Sequence, residues 1–166
     1  MIIDVADILK KKNAKKEMHL LYNENKFSVA GEDINFSKPV KLDLNLAMVG
    51  DILMLEGNLE TELILSCSRC LEGFNYALNV PISEKFTYNP DNKDEEIFFI
   101  DSDTIDITEI IQNNIITSLP MKKLCKEDCK GLCQHCGTNR NFSSCNCEDD
   151  DIDPRLAKLK DLFSAE

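Results

Sequence analysis

The sequence has no tryptophan, two histidines and five prolines, and its 19 lysines and arginines face 30 aspartates and glutamates. Each shortage excludes something. A net charge of −11 leaves no bulk field for phosphate, because nucleic-acid affinity comes from fixed positive charge displacing counterions. Only a local basic surface could bind it. Neither His19, in EMHLLY, nor His135 stands in an HExxH motif or a Ser/His/Asp set, and no glycine-rich phosphate loop occurs. The longest apolar runs, such as ILML at 52–55, are too short to span a bilayer. The N-terminal MIIDVADILKKKN carries its charges after the apolar stretch and has no small-residue cleavage site, so no signal peptide is expected. We therefore expect a cytoplasmic protein, with neither a membrane nor a small-molecule substrate among its partners.

What is present is alternation. In VKLDLNLAM (40–48), Val40, Leu42, Leu44, Leu46 and Met48 share one face. Leu53, Leu55, Leu59, Leu63 and Leu65 do so in 53–67, and Phe74, Tyr76, Leu78, Val80, Ile82, Phe86 and Tyr88 in 74–88. Three such runs joined by short turns, at Gly50–Asp51 and at SCSRCLEG, predict an antiparallel meander with one buried face. EIFFI (96–100) can add a strand, residues 16–36 one or two more, and NPDNKDEE (89–96) reads as a loop. In DITEIIQNNIITSLP (106–120), Ile107, Ile110, Ile111, Ile115 and Leu119 have helical spacing, with Asp106 or Thr108 as cap and Pro120 as stop. DVADILKKK suggests a short N-terminal helix. Asp153–Pro154 suits another helix start, with Leu156, Leu159, Leu162 and Phe163 as its stripe. The expected fold is α+β: a twisted antiparallel sheet or partial barrel with a covering helix and a zinc-stapled C-terminal segment. Its parts are a β-rich core (1–120), a cysteine segment (121–147), and an acidic linker with a short helix (148–166).

Eight cysteines stand out. Two are in SCSRC, at Cys67 and Cys70, and six in CKEDCKGLCQHCGTNRNFSSCNC, residues 125–147. In a reducing compartment, patterned cysteines bind metal or do redox chemistry. CxxC supplies two sulfurs from one tight turn, and zinc takes four in a tetrahedron. Cys133-Gln-His-Cys136-Gly137 has this knuckle form, with glycine where the backbone must turn. Eight cysteines make two sites, so two Zn²⁺ ions are expected. In the preferred pairing Cys67, Cys70, Cys125 and Cys129 form one site, clipping the hairpin tip to the segment after the helix. Cys133, Cys136, Cys145 and Cys147 then form a compact local site. A rival pairing joins Cys125, Cys129, Cys133 and Cys136 and returns Cys145 and Cys147 to Cys67 and Cys70. In either case thiolates fill every coordination position and leave none for a reacting water, so no enzyme is expected. The competing function is a thiol-based redox sensor or oxidoreductase using Cys67 and Cys70. That pair lacks the helix N-terminus that activates thioredoxin-type thiols.

Local basic runs interrupt the acidic background. Lys10, Lys11, Lys12, Lys15 and Lys16 form one. Lys122, Lys123, Lys126, Lys130 and Arg140 surround the cysteines, and Arg69 lies inside the first CxxC. A charge run is ordinarily a solvated face. Beside knuckles, lysine and arginine are also what contacts RNA or another partner; against that stands the absence of Trp and of any aromatic stacking platform near the cysteines apart from Phe142.

SCSRCLEGF after a long alternating strand, then SLPMKKLCKEDCKGLCQHCGTN, CNC and DPRLAKLKDL, resemble the YceD family of large ribosomal RNA subunit accumulation proteins, which has relatives in bacteria and plastids. The resemblance runs from about residue 40 to the end, and GLCxxCG…CxC…DPR is its specific part. It implies a non-enzymatic role in accumulation of 23S ribosomal RNA and ribosome assembly, with a large-subunit RNA precursor or a large-subunit ribosomal protein as partner.

Overall fold

An extended chain sends successive side chains to opposite faces, so strict apolar–polar alternation buries one face and leaves the other wet. In the computed structural model, which describes residues 1–10, 14–29, 31–92 and 97–147, this rule builds most of the molecule. Along the chain run β1 (Ile2–Asp4), α1 (Ala6–Leu9), β2 (Lys15–Tyr22), β3 (Lys26–Val29), β4 (Glu32–Val49), β5 (Ile52–Ser66), β6 (Gly73–Thr87), β7 (Ile97–Phe99), β8 (Thr104–Asp106) and α2 (Thr108–Ser118).

The expected meander is β4-β5-β6. Leu42 faces Leu59 and Leu46 faces Leu55 across the first pair, and Leu59 faces Val80 across the second. All are buried. β2 and β3 both pair with β4, on either side of register shifts at Lys38. Pro39 stands there and lacks the N–H a ladder needs. Leu44 is opposite Gly57, and the strands approach so closely that a Cβ on Gly57 would lie 2.1 Å from the Asp43 carbonyl oxygen.

The sheet, in the order β2-β4-β5-β6-β7, is not a closed barrel. One expectation changes, because the sheet is not wholly antiparallel: β7 runs parallel to β6, with Phe98 beside Phe86, ring centroids 5.6 Å apart. A small second sheet pairs β1 with β8. Neither short partner carries enough alternation to announce its direction.

The core collects these faces. Ile110, Ile111 and Ile115 of α2 join Ile8 of α1, Ile3 of β1 and the leucines of β4 and β5 in one buried cluster. Each such side chain contributes about 1.5–3 kcal/mol by leaving water. The residue before α2, Ile107, caps nothing. The Asp106 carboxylate instead accepts the Thr108 hydroxyl at 2.6 Å and its N–H at 2.9 Å. Those bonds, with a third from the Met1 amino group, hold its pKa at about 2.

The chain divides into two compact units, Met1–Ser68 with Glu72–Cys125, and Arg69–Leu71 with Lys126–Glu166. The first contains all ten elements named above. Among the described residues no helix is long and apolar enough to cross a membrane. The acidic stretch and helix expected over 148–166 lie outside the described residues, as do Lys11 and Lys12.

Candidate metal centres

Both cysteine groups are assembled by backbone turns. At the end of β5 the Cys67 N–H donates to the Glu72 carbonyl at 2.9 Å, closing the tip before β6. The Ser68 N–H donates to Lys123 O at 2.7 Å. Leu71, directly after Cys70, takes the left-handed conformation (φ 61°). Farther along, Cys129 N–H turns back to Lys126 O, at 3.2 Å. The Arg69 guanidinium donates to the carbonyls of Cys129 (2.9 Å) and Glu127 (3.4 Å). Leu132 N–H donates to Arg69 O at 3.1 Å, and a Cβ at neighbouring Gly131, whose φ is 71°, would lie 3.1 Å from that same oxygen.

The sulfurs of Cys67, Cys70, Cys125 and Cys129 all lie within 4.8 Å of one another. The second group is Cys133, Cys136, Cys145 and Cys147, within the same limit. Its knuckle closes through Gly137 N–H to Cys133 O (2.9 Å) and Cys133 N–H to Thr138 O (2.8 Å), and Gly137 is left-handed as its position requires (φ 72°). These are the two sets the sequence reading preferred. None of the eight cysteines is joined in a disulfide.

The donors suit a divalent cation. A tetrahedral ion with Zn–S bonds of about 2.3 Å sets its sulfurs about 3.8 Å apart, which groups this tight can reach. The thiols already show the conflict that an ion resolves. Backbone N–H groups of Cys136 and His135 pull the Cys133 thiol down to about 6, and the Thr138 hydroxyl and N–H lower Cys136. Cys147, hydrogen-bonded to the Cys136 sulfur, is pushed up to about 12. Four sulfurs this close can all lose their protons only with a positive charge among them.

Residues 138–141, TNRN, escaped the sequence reading except for Arg140, and they brace both groups. The Thr138 hydroxyl lies 3.0 Å from the Cys136 sulfur. Asn141 donates from Nδ2 to the Cys129 sulfur at 3.3 Å, while its Oδ1 accepts the Lys130 N–H at 3.0 Å. Arg140, one residue earlier, points Nη2 at the Cys133 sulfur, 3.8 Å away. Asn139 Oδ1 accepts Asn141 N–H at 3.0 Å. That is an Asx turn, and a pair of asparagines two apart just after a knuckle is the signal that could have revealed it.

The residues read as partner contacts are dispersed. Lys10 is exposed after α1, and Lys15 and Lys16 lie on β2, Lys16 with its ammonium 3.4 Å from Asp4 O. Lys122 is exposed, and Lys123 pairs with Glu32 at 3.2 Å. Lys126 and Lys130 are exposed. Arg69 serves the Glu127 and Cys129 carbonyls. Lys130 and Arg140 do come together, lining one depression with Phe142. His135 is exposed in the knuckle. His19 is on β2, its Nδ1 2.6 Å from the Asp43 carboxylate.

The family model described as large ribosomal RNA subunit accumulation protein YceD matches residues 55–163. An uncharacterized protein of Mycobacterium tuberculosis is 27% identical over 173 residues, covering 100% of this chain and 83% of its own length. The uncharacterized protein YlbN of Bacillus subtilis is 28% identical over 142 residues, covering 84% and 83%. In Arabidopsis thaliana, the chloroplastic large ribosomal RNA subunit accumulation protein YCED homolog 1 is 25% identical over 155 residues, covering 75% of this chain and 48% of the plant protein. No solved structure matches.

Proposed function

The chain belongs to the YceD family of large ribosomal RNA subunit accumulation proteins, and from that premise we propose that it is a non-enzymatic, cytoplasmic zinc protein supporting 23S ribosomal RNA accumulation and large-subunit assembly. The observation that carries the reading is the pair of four-cysteine groups in a chain of this family. Cys67, Cys70, Cys125 and Cys129 would hold one Zn²⁺, and Cys133, Cys136, Cys145 and Cys147 the other. Zinc held by four thiolates leaves no site for a reacting water and acts by fixing shape. The shape in question is that of residues 121–147, whose lysines and arginines would meet a large-subunit RNA precursor.

The competing reading, a redox protein working through Cys67 and Cys70, needs accessible thiols. Burial to 0% and 3% exposure weighs against attack on an external disulfide. Titration of thiols in the native, metal-loaded chain separates the two, since the zinc reading expects none that react readily.

The test of function is complementation. In a bacterium deleted for its own family member, this chain should restore the ratio of 23S to 16S ribosomal RNA, and Cys67→Ser or Cys133→Ser should not. A stably expressed chain that leaves the ratio low would end the proposal.

A further inference from the structure

Phe142 is 81% exposed, yet its backbone is held firmly. Its N–H and that of Ser143 both donate to Asn139 O at 3.2 Å. Asn141 beside it is fixed through its N–H, its Oδ1 and its Nδ2. An aromatic ring on a fixed turn is a surface prepared for a flat partner, because little chain entropy remains to be lost when the ring is covered.

The ring borders an open depression of about 500 Å³, lined also by Lys130, Arg140, Asn141, Ser143 and Ser144. That volume falls within the roughly 300–1,000 Å³ of small-ligand clefts. The lining combines one stacking face, two cations, and amide and hydroxyl groups. Single-stranded RNA is recognised through these three kinds of contact: bases stack on aromatic rings, polar groups read their edges, and Lys and Arg meet the phosphates. Protein-binding surfaces are instead depleted in lysine and serine, whereas Lys130, Ser143 and Ser144 line this depression and Phe142 is its single apolar side chain other than the cysteines.

We propose that this depression, formed by Phe142, Lys130, Arg140, Asn141, Ser143 and Ser144, binds one unpaired nucleotide of single-stranded RNA. The base stacks on Phe142 and the phosphate lies toward Lys130 and Arg140. The inference rests on the RNA-contact reading above and deepens it by naming the contact. Each zinc group with four thiolates carries about −2 of charge, so the attraction is local. It should involve one or two phosphates rather than many.

The test uses the full, zinc-loaded chain and fluorescence anisotropy of short labelled oligouridylate and oligoadenylate strands, single and annealed. Single strands should bind better than the duplex. Phe142→Ala should weaken single-strand binding roughly tenfold, in line with the loss of one stacked base, with zinc content unchanged, and Phe142→Trp should restore it. Lys130→Gln should reduce the slope of log affinity against log salt by about 0.7, the share of one single-strand phosphate contact.

Equal affinity of parent and Phe142→Ala, or equal binding of duplex, overturns the site while leaving RNA contact elsewhere intact. Failure of the parent to bind any RNA overturns both the site and direct RNA contact. If Phe142→Ala spares RNA binding but weakens a complex with a large-subunit ribosomal protein, the surface is a protein site and the nucleotide proposal fails. Should Phe142→Ala also lose zinc, Phe142→Trp and the salt slope of Lys130→Gln still decide.

Discussion

The two units reach order by different means. The sheet unit carries the apolar cluster, from Ile3 through the leucines of β4 and β5 to Ile115, and no described residue of Arg69–Leu71 or of the chain from Lys126 onward belongs to it. Among the described residues of the cysteine unit the buried side chains are Cys70, Cys129 and Cys133. One unit is held by area removed from water. The other has hydrogen-bonded turns and six of the eight cysteines, which is what a small segment uses when it cannot build a core. Sequence changes and solution conditions should therefore act on them separately.

Removing the metal is the largest way to test that separation. Structural zinc contributes about 10–16 kcal/mol of apparent binding, coupled to folding. A chelator should abolish hydrogen-exchange protection across 126–147 while the β4-β5-β6 ladder keeps its own. Metal analysis of the parent should give two zinc ions per chain, one for each sulfur group, and Cys67→Ser and Cys133→Ser should each weaken a different one. If chelation leaves 126–147 protected, the contrast between the units is wrong. The converse perturbation is Leu59→Ala. Leu59 is fully buried between Leu42 and Val80, and the cavity should cost about 2–5 kcal/mol of stability by urea denaturation, with both zinc ions retained.

A smaller effect should follow Asn141→Leu. It removes the donor to the Cys129 sulfur and the acceptor for Lys130 N–H while keeping side-chain size. Partners of this kind typically change metal affinity by about 10–100-fold. Competition with a chromophoric chelator should show that loss at the Cys129 group, with the urea midpoint of the sheet unit unmoved. An unchanged affinity would reduce Asn141 to a turn residue.

How much of this was legible in the sequence follows the same division. The meander was readable because Leu42, Leu44 and Leu46, and Leu53 and Leu55, repeat with the period of the pleat. α2 was readable because Ile107, Ile111 and Ile115 repeat with the period of the helix. β7 and β8 have three residues each, too few for any period, so the parallel pairing of β7 was invisible. Nothing in the sequence singles out Gly57, and only the register opposite Leu44 shows that a side chain has no room there. The spacing of the cysteines carried the local pairs, since sulfurs separated by two or three residues come from one turn, and left open which pairs share a site. The bracing by Asn139 and Asn141 was not legible, because side-chain hydrogen bonds within a turn leave no pattern beyond the residues themselves.

The smallest expected effect is one of pH, and it runs in opposite directions in the two units. The His19 pKa is raised, chiefly by its hydrogen bond to Asp43 and next by that carboxylate's charge. A histidine whose folded pKa exceeds its unfolded value contributes stability that is complete below about 6.5 and lost as pH rises through the folded pKa. Because both side chains are exposed, the contribution is small. The stability difference between parent and His19→Gln, measured on the zinc-loaded chain, should be present near pH 5.5 and absent near pH 8.5. Over the same descent protons compete with metal for the thiolates, so zinc binding should weaken as the His19–Asp43 pair strengthens. A parent-to-variant difference that is equal at both pH values would remove His19 from this account.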